Sequence, residues 1–187
     1  VFLIISFSSL LIFLKFFGEV GLYVFTTVAV IVANIQVLKI VQFPFFTEPV
    51  ALGTILFAST FLCTDILTEY YGTKSARKNI LLGFSGFLLM TILMLFTIGF
   101  KPLNEIEVGE KYAWALPIQG NLLGIFMPFP IFFGASMIAY LTSQFFDVWF
   151  FDKISKITNK KFLWFRNNVS TMVSSLLDNI IFSLFAF

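Results

Sequence analysis

Six stretches of this chain are long, apolar and nearly free of charge, and each approaches the ~20 residues a helix needs to cross the hydrocarbon core of a bilayer. They are Val1–Phe17, Val20–Phe43, Val50–Tyr71, Ala76–Phe100, Pro128–Phe151 and Val169–Phe187. Backbone N–H and C=O groups in lipid must be satisfied within the protein, which leaves helices or a closed barrel, and unalternating runs of this length read as helices. The expected fold is all-α: a polytopic membrane helix bundle of about six spans, one transmembrane domain over residues 1–187. Val1–Phe17 has neither a basic start nor a small-residue cleavage site, so it reads as a span or part of one rather than a signal peptide.

Composition agrees. Hydrophobic residues make up 59% of the 187 positions and charged residues 12%, against ~25% charged in a soluble domain. A net charge of +2, scattered among apolar runs, gives no footprint for nucleic acid. Histidine is absent and Cys63 is the single cysteine, so no disulfide is expected, and neither a metal site nor a cofactor. Cys63 reads as a buried small residue. The lipid bilayer is the expected partner.

Loop charges set the orientation. Gly72–Ser75 with Arg77 and Lys78, and Asp152–Arg166 with Lys153, Lys156, Lys160, Lys161 and Arg166, are two spans apart and so face one side, the cytoplasmic one by the positive-inside rule. Lys101–Gln119, with Glu105, Glu107 and Glu110, and the Pro44–Pro49 turn fall outside. Trp114, Trp149 and Trp164 fit the two interfacial belts.

Against this apolar ground stand four carboxylates: Asp65 and Glu69, Asp147, and Asp178. A charge near the bilayer centre costs ~2.5–3.5 kcal/mol, so these side chains need a partner, water or a substrate. At ~1.5 Å rise per residue from the cytoplasmic ends, Asp65 lies ~9 Å deep, Gln144 ~10 Å, Tyr140 ~16 Å, Asp178 ~18 Å and Asn34 ~21 Å. Helical spacing aligns Asp65, Thr68 and Glu69 on one face; Ser136, Tyr140, Gln144 and Asp147 on a second; and Asn167, Thr171, Ser174 and Asp178 on a third. Three polar stripes on three helices predict a polar, acidic lumen suited to a cation, a proton or a ligand rich in N–H donors.

Several of these residues also have a plainer reading. Ser136, Thr171 and Ser174 can serve as interhelical hydrogen bonds. Glu69 and Asp147 lie within a turn of the cytoplasmic boundary, where Arg77, Lys78 or Lys153 are available as partners. Lys39 can snorkel to the outer interface.

The run Thr64-Asp65-Ile66-Leu67-Thr68-Glu69-Tyr70-Tyr71-Gly72, followed by Ala76-Arg77, resembles the signature of the queuosine-precursor transporters, the YhhQ-type vitamin uptake transporter family. Ala33-Asn34 with Lys39, Ser136 through Ala139-Tyr140 to Ser143-Gln144 and Asp147-Val148, and Trp164-Phe165-Arg166-Asn167-Asn168 running into Ser170-Thr171 and Asp178 agree with it. The resemblance covers about Val20 to Phe187. It implies a multi-pass carrier of a bacterial inner membrane that imports 7-deazaguanine compounds such as preQ0, preQ1 or queuine for tRNA queuosine salvage. The substrate-binding positions it points to are Asn34, Asp65, Glu69, Tyr140, Gln144, Asp147 and Asp178, with Tyr140 stacking on the ring. Ser175 departs from the glutamine often found there, which weakens any role for that position. The resemblance also implies a six-span core over residues 20–187, truncated at the C-terminus so that its last span is expected beyond Phe187. Residues 1–17 would be an additional segment, and a homo-oligomer is possible.

Two other classes remain open at this point. One is a substrate-binding membrane subunit of an energy-coupling vitamin transporter, although no small-residue patch for a scaffold helix stands out. The other is an intramembrane enzyme, disfavoured because no nucleophile elbow, HExxH, GxGD or phosphotransfer motif surrounds the acids. No P-loop is present, so energy would come from a gradient or from trapping inside.

Overall fold

The computed structural model describes residues 1–44, 47–127 and 129–186, with the side chains of all of these except 105–108, 129–132 and 186. In order along the chain come α1 (Phe2–Gln36), β1 (Ile40–Val41), β2 (Val50–Ala51), α2 (Gly53–Tyr70), α3 (Thr73–Gly99), α4 (Glu105–Tyr112), α5 (Ala115–Phe126), α6 (Phe129–Ile157) and α7 (Leu163–Ala186). The protein is an all-α membrane bundle carrying one minimal hairpin. Among the described residues, three helices have the length and apolar character to cross a membrane: Phe2–Gln36, Thr73–Gly99 and Leu163–Phe185.

α1 is two helices joined at a sharp bend. Gly18 takes φ 56° and ψ −134°, a left-handed conformation that glycine reaches without a Cβ penalty. Residues 13 and 25 would stand ~18 Å apart in a straight helix, yet the rings of Phe13 and Phe25 meet edge-on at 6.3 Å. The segment before the bend packs back on the bundle, with Leu10 fully buried. The break falls between the first two apolar segments read from the sequence.

Other boundaries differ from that reading. The second helix stops at Gln36, short of Phe43, because Ile40 and Val41 pair antiparallel with Ala51 and Val50. β-Branched residues suit this strand pair, and Pro44 and Pro49, which lack an N–H, lie outside the ladder. Lys39 therefore lies beyond the helix, exposed, with its carbonyl accepting from the Leu52 N–H at 2.9 Å. α6 continues past Phe151 to Ile157, and α7 begins at Leu163 rather than Val169. The 101–119 segment contains α4, bent at Gly109, and the start of α5. Apolar length missed α5 because its 12 residues are too few to span and are broken up by Pro117, Gly120 and Gly124. The Pro44–Pro49 turn, the first residue of the Pro128–Phe151 segment and the last of Val169–Phe187 lie partly or wholly outside the described residues.

α1 packs on α2 and α3, α3 and α2 on α6, and α6 along the length of α7. The core between them holds Leu22, Val30, Leu67, Ile80, Phe87, Tyr140 and Val148. Polar side chains tie helix to helix through this core, as in Asn79 of α3 donating to Thr26 of α1 at 3.0 Å.

Candidate functional site

The α6–α7 seam is built on a reciprocal exchange of hydroxyls and carboxyls. Ser143 of α6 donates to Asp178 Oδ1 of α7 at 2.8 Å, and one turn along, Ser174 of α7 donates to Asp147 Oδ1 of α6 at 2.9 Å. Four residues forward on α6 match four residues back on α7, as antiparallel helices require. Two turns further in the same register, Arg166 donates to Ser155. The spacing seen in sequence as polar stripes is thus a set of matched partners.

Toward the hairpin end, this seam opens into a cavity of about 530 Å³, within the roughly 300–1,000 Å³ of small-molecule sites. Its walls are largely apolar, with Phe57, Phe133 and Phe182, and its polar groups are Asn34, Ser136, Asp178, Thr54 and Asn179. Asn34 is fixed at both ends of its amide: Nδ2 donates to the Val30 carbonyl at 2.8 Å, and Oδ1 accepts from Ser136 at 2.7 Å. Ala33, Val37 and Gly53 close one side, where α1 and α2 approach so nearly that a Cβ on Gly53 would stand 2.2 Å from the Ala33 carbonyl oxygen.

Of the seven residues expected to bind substrate, the cavity lining includes Asn34 and Asp178. The other five lie elsewhere in this conformation. Tyr140 is fully buried, its hydroxyl donating to the Ile80 carbonyl at 3.5 Å and its ring edge-on to Phe57 at 5.7 Å. It therefore backs the Phe57 wall of the cavity. Gln144, also fully buried, donates to Thr60 Oγ1 at 3.0 Å and accepts from Thr64 at 3.2 Å, joining α6 to α2.

Asp65 and Asp147 lie deeper, 3% and 0% exposed. Thr171 donates to Asp65 Oδ2 at 3.4 Å, three residues along α7 from the Ser174 that holds Asp147, so neighbouring hydroxyls on one helix hold both acids. The two carboxyls are within hydrogen-bond reach of each other. Even so, Asp65 Oδ1 and Asp147 Oδ2 find no donor among the described residues.

Glu69 is taken up by a partner the sequence did not suggest. Arg166 grips it through Nη1 to Oε2 and Nη2 to Oε1, both 3.0 Å. Neither Arg77, Lys78 nor Lys153 holds it. Lys78 lies over the Tyr23 ring at 5.3 Å and Lys153 over the Trp149 ring at 4.8 Å, and the partner of Asp147 is Ser174 rather than a lysine. Charge and hydropathy put Arg166 at the end of the basic loop, whereas it lies in the first turn of α7. The apolar run Phe162-Leu163-Trp164-Phe165 before it was the available signal, since it starts α7 early enough to put Arg166 inside the bundle. Ser143, beside Gln144 in the segment that carries the resemblance, gives no sign in sequence of the Asp178 to which it donates.

The Arg166–Glu69 pair joins the start of α7 to the end of α2, so the two basic connections, α2–α3 and α6–α7, sit at the same end of the bundle. Viewed from that end, the polar groups form three levels: an ion pair, a pair of buried acids, and a cavity with one acid in its wall.

A helical membrane bundle with a cavity and buried acids has the build of a small-molecule carrier. Residues 51–187 match the family described as "Putative vitamin uptake transporter". A "Probable queuosine precursor transporter" of Bacillus subtilis (strain 168) is 36% identical over 187 residues, covering 100% of this chain and 76% of the relative. The chain belongs to this vitamin uptake transporter family. No solved structure matches it.

Proposed function

We propose that this chain imports 7-deazaguanine precursors of queuosine across a bacterial inner membrane, with both basic connections in the cytoplasm. The family and the name of the Bacillus subtilis relative support the substrate class. The observation that carries the reading is the cavity itself. A flat aromatic heterocycle suits walls of Phe57, Phe133 and Phe182, and adjacent N–H donors on its guanine-like edge suit a carboxylate acceptor, Asp178, with the Asn34 amide and Ser136 hydroxyl nearby. A precursor with a cationic aminomethyl arm gains further from the acid. Tyr140 and Gln144 support the walls, and the levels below form the way to the cytoplasm.

The test is uptake of radiolabelled preQ0, preQ1 and queuine by a host lacking its own carrier, with each compound competing against the others, and then by purified protein in liposomes. Saturable uptake of at least one compound by the purified chain is expected. Failure of all three to enter or compete overturns the substrate class. Uptake in cells that disappears in liposomes and returns with an ATPase module identifies a capture subunit instead.

A further inference from the structure

Asp65 and Asp147 have a role left over once the cavity has been assigned to substrate. Neither lines it, both are buried, and each keeps one carboxyl oxygen without a donor among the described residues. Their side chains reach each other from α2 and α6 while α7 supplies Thr171 to one and Ser174 to the other. Two carboxyl acceptors facing each other can form a hydrogen bond only through an added proton.

Arg166 on α7 acts on Asp65, but its fork is engaged by Glu69, the other acid on α2. Ser174 of α7 donates to Asp147, while Ser170, one turn earlier, donates to the Asn167 carbonyl at 3.3 Å. No group of three or more metal-ligating side chains occurs among the described residues, and neither acid is in the lining of the substrate cavity. A proton can pass between carboxyls and hydroxyls that already touch, as these do.

We propose that Asp65 and Asp147 together form a one-proton carrier site, separate from the substrate cavity, that couples import to the proton gradient; this rests on the transport reading above. The cycle balances simply. One H⁺ enters from outside onto the pair and leaves to the cytoplasm, the pair alternating between one shared proton and none, with no other bond made or broken. Coupling to substrate runs through the seam, because Asp178 in the cavity wall and Asp147 in the pair lie one turn apart in the same Ser–Asp exchange. The deprotonated pair is stabilised by Arg166, whose buried Nε has no partner among the described residues, once the grip on Glu69 loosens toward the cytoplasm.

Two measurements test this. Infrared difference spectra of the purified chain in lipid, without substrate, stepped from neutral to alkaline pH, should show the C=O band of a protonated carboxyl. Asp65→Asn and Asp147→Asn should each remove it, and Asp178→Asn should not. If an Asn variant fails to reach the membrane, Asp147→Glu, which keeps two acids, should shift the same band. No band at neutral pH, or a band lost only with Asp178→Asn, overturns the proposal.

In liposomes clamped at zero membrane potential, a neutral deazaguanine should accumulate about tenfold per unit of inward pH gradient, the ratio for one proton per substrate. A sodium gradient should not drive it, and accumulation on sodium alone overturns the proton site. A chain that moves no deazaguanine defeats the substrate reading and leaves the infrared result to decide the proton site.

Discussion

Arg166 holds Glu69 through its two terminal guanidinium nitrogens, joining residues 97 apart in sequence. The arginine side chain is 1% exposed and the glutamate 24%, so removing the acid strands a buried cation while removing the base leaves an acid with access to water. Glu69→Gln should therefore cost about 3 kcal/mol, the low end for breaking a buried pair because one partner is partly wet. Arg166→Lys keeps the charge but loses the fork, and should cost roughly 1.5 kcal/mol. Thermal unfolding in one detergent, with membrane abundance alongside, checks the order. Equal stability of Glu69→Gln and the parent would show that the pair is ornamental.

This pair marks the limit of what sequence alone could supply. The apolar segments were legible because bilayer thickness fixes helix length, and the stripes on α6 and α7 because helical spacing fixes which side chains share a face. Asn34 and Asp178 were read as inner-pathway residues, and both line the cavity. What spacing cannot show is which stripe faces which. The register that sets Ser143 against Asp178 and Ser174 against Asp147 is a tertiary fact, as is the α2–α7 contact that gives Glu69 to Arg166 rather than to a lysine nearer in sequence. Boundaries failed where backbone chemistry overrode hydropathy. The hairpin at Ile40–Val41 ends a run that looked helical, and α5 is too short for a rule tuned to spans.

Orientation follows from the shared end of the two basic connections. With Cys63, fully buried, replaced by alanine, single cysteines at Lys74 and Lys156 should react with a membrane-impermeant maleimide only from the cytoplasmic side. One at Lys101, exposed at the far end of α3, should react only from outside. Labelling of Lys74 and Lys101 from one side would refute the topology.

In the cavity, Asp178 contributes charge and acceptor capacity where Asn34 contributes only a neutral amide already engaged by Val30 and Ser136. Asp178→Asn replaces a pure acceptor by a group with two donors facing the donor edge of the ligand. Binding of a deazaguanine should weaken at least tenfold, the ~1.4 kcal/mol of one charge-assisted bond. Ser136→Ala, which frees one acceptor on Asn34, should weaken it by a smaller factor. Calorimetric titration of both variants at matched folding decides this, and an unaltered Kd for Asp178→Asn would remove the acid from the ligand's surroundings.

The closest helix approach beside the cavity can be probed without touching a polar group. A Cβ at Gly53 would stand 2.2 Å from the Ala33 carbonyl oxygen and 2.9 Å from the Val37 nitrogen, both backbone atoms that no rotamer change can move aside. Gly53→Ala must therefore push α2 away from α1, at a cost of roughly 1–3 kcal/mol for overpacking. Because Ala33, Val37 and Gly53 all line the cavity, the shift should also weaken substrate binding. Gly124, inside α5, has nothing within 4 Å of its Cβ position, and Gly124→Ala should stabilise by about 0.5–1 kcal/mol by removing glycine from a helix interior. Melting temperatures of the two variants should fall on opposite sides of the parent. If Gly53→Ala melts with or above the parent, the α1–α2 contact is looser than the structure shows and does not shape the cavity wall.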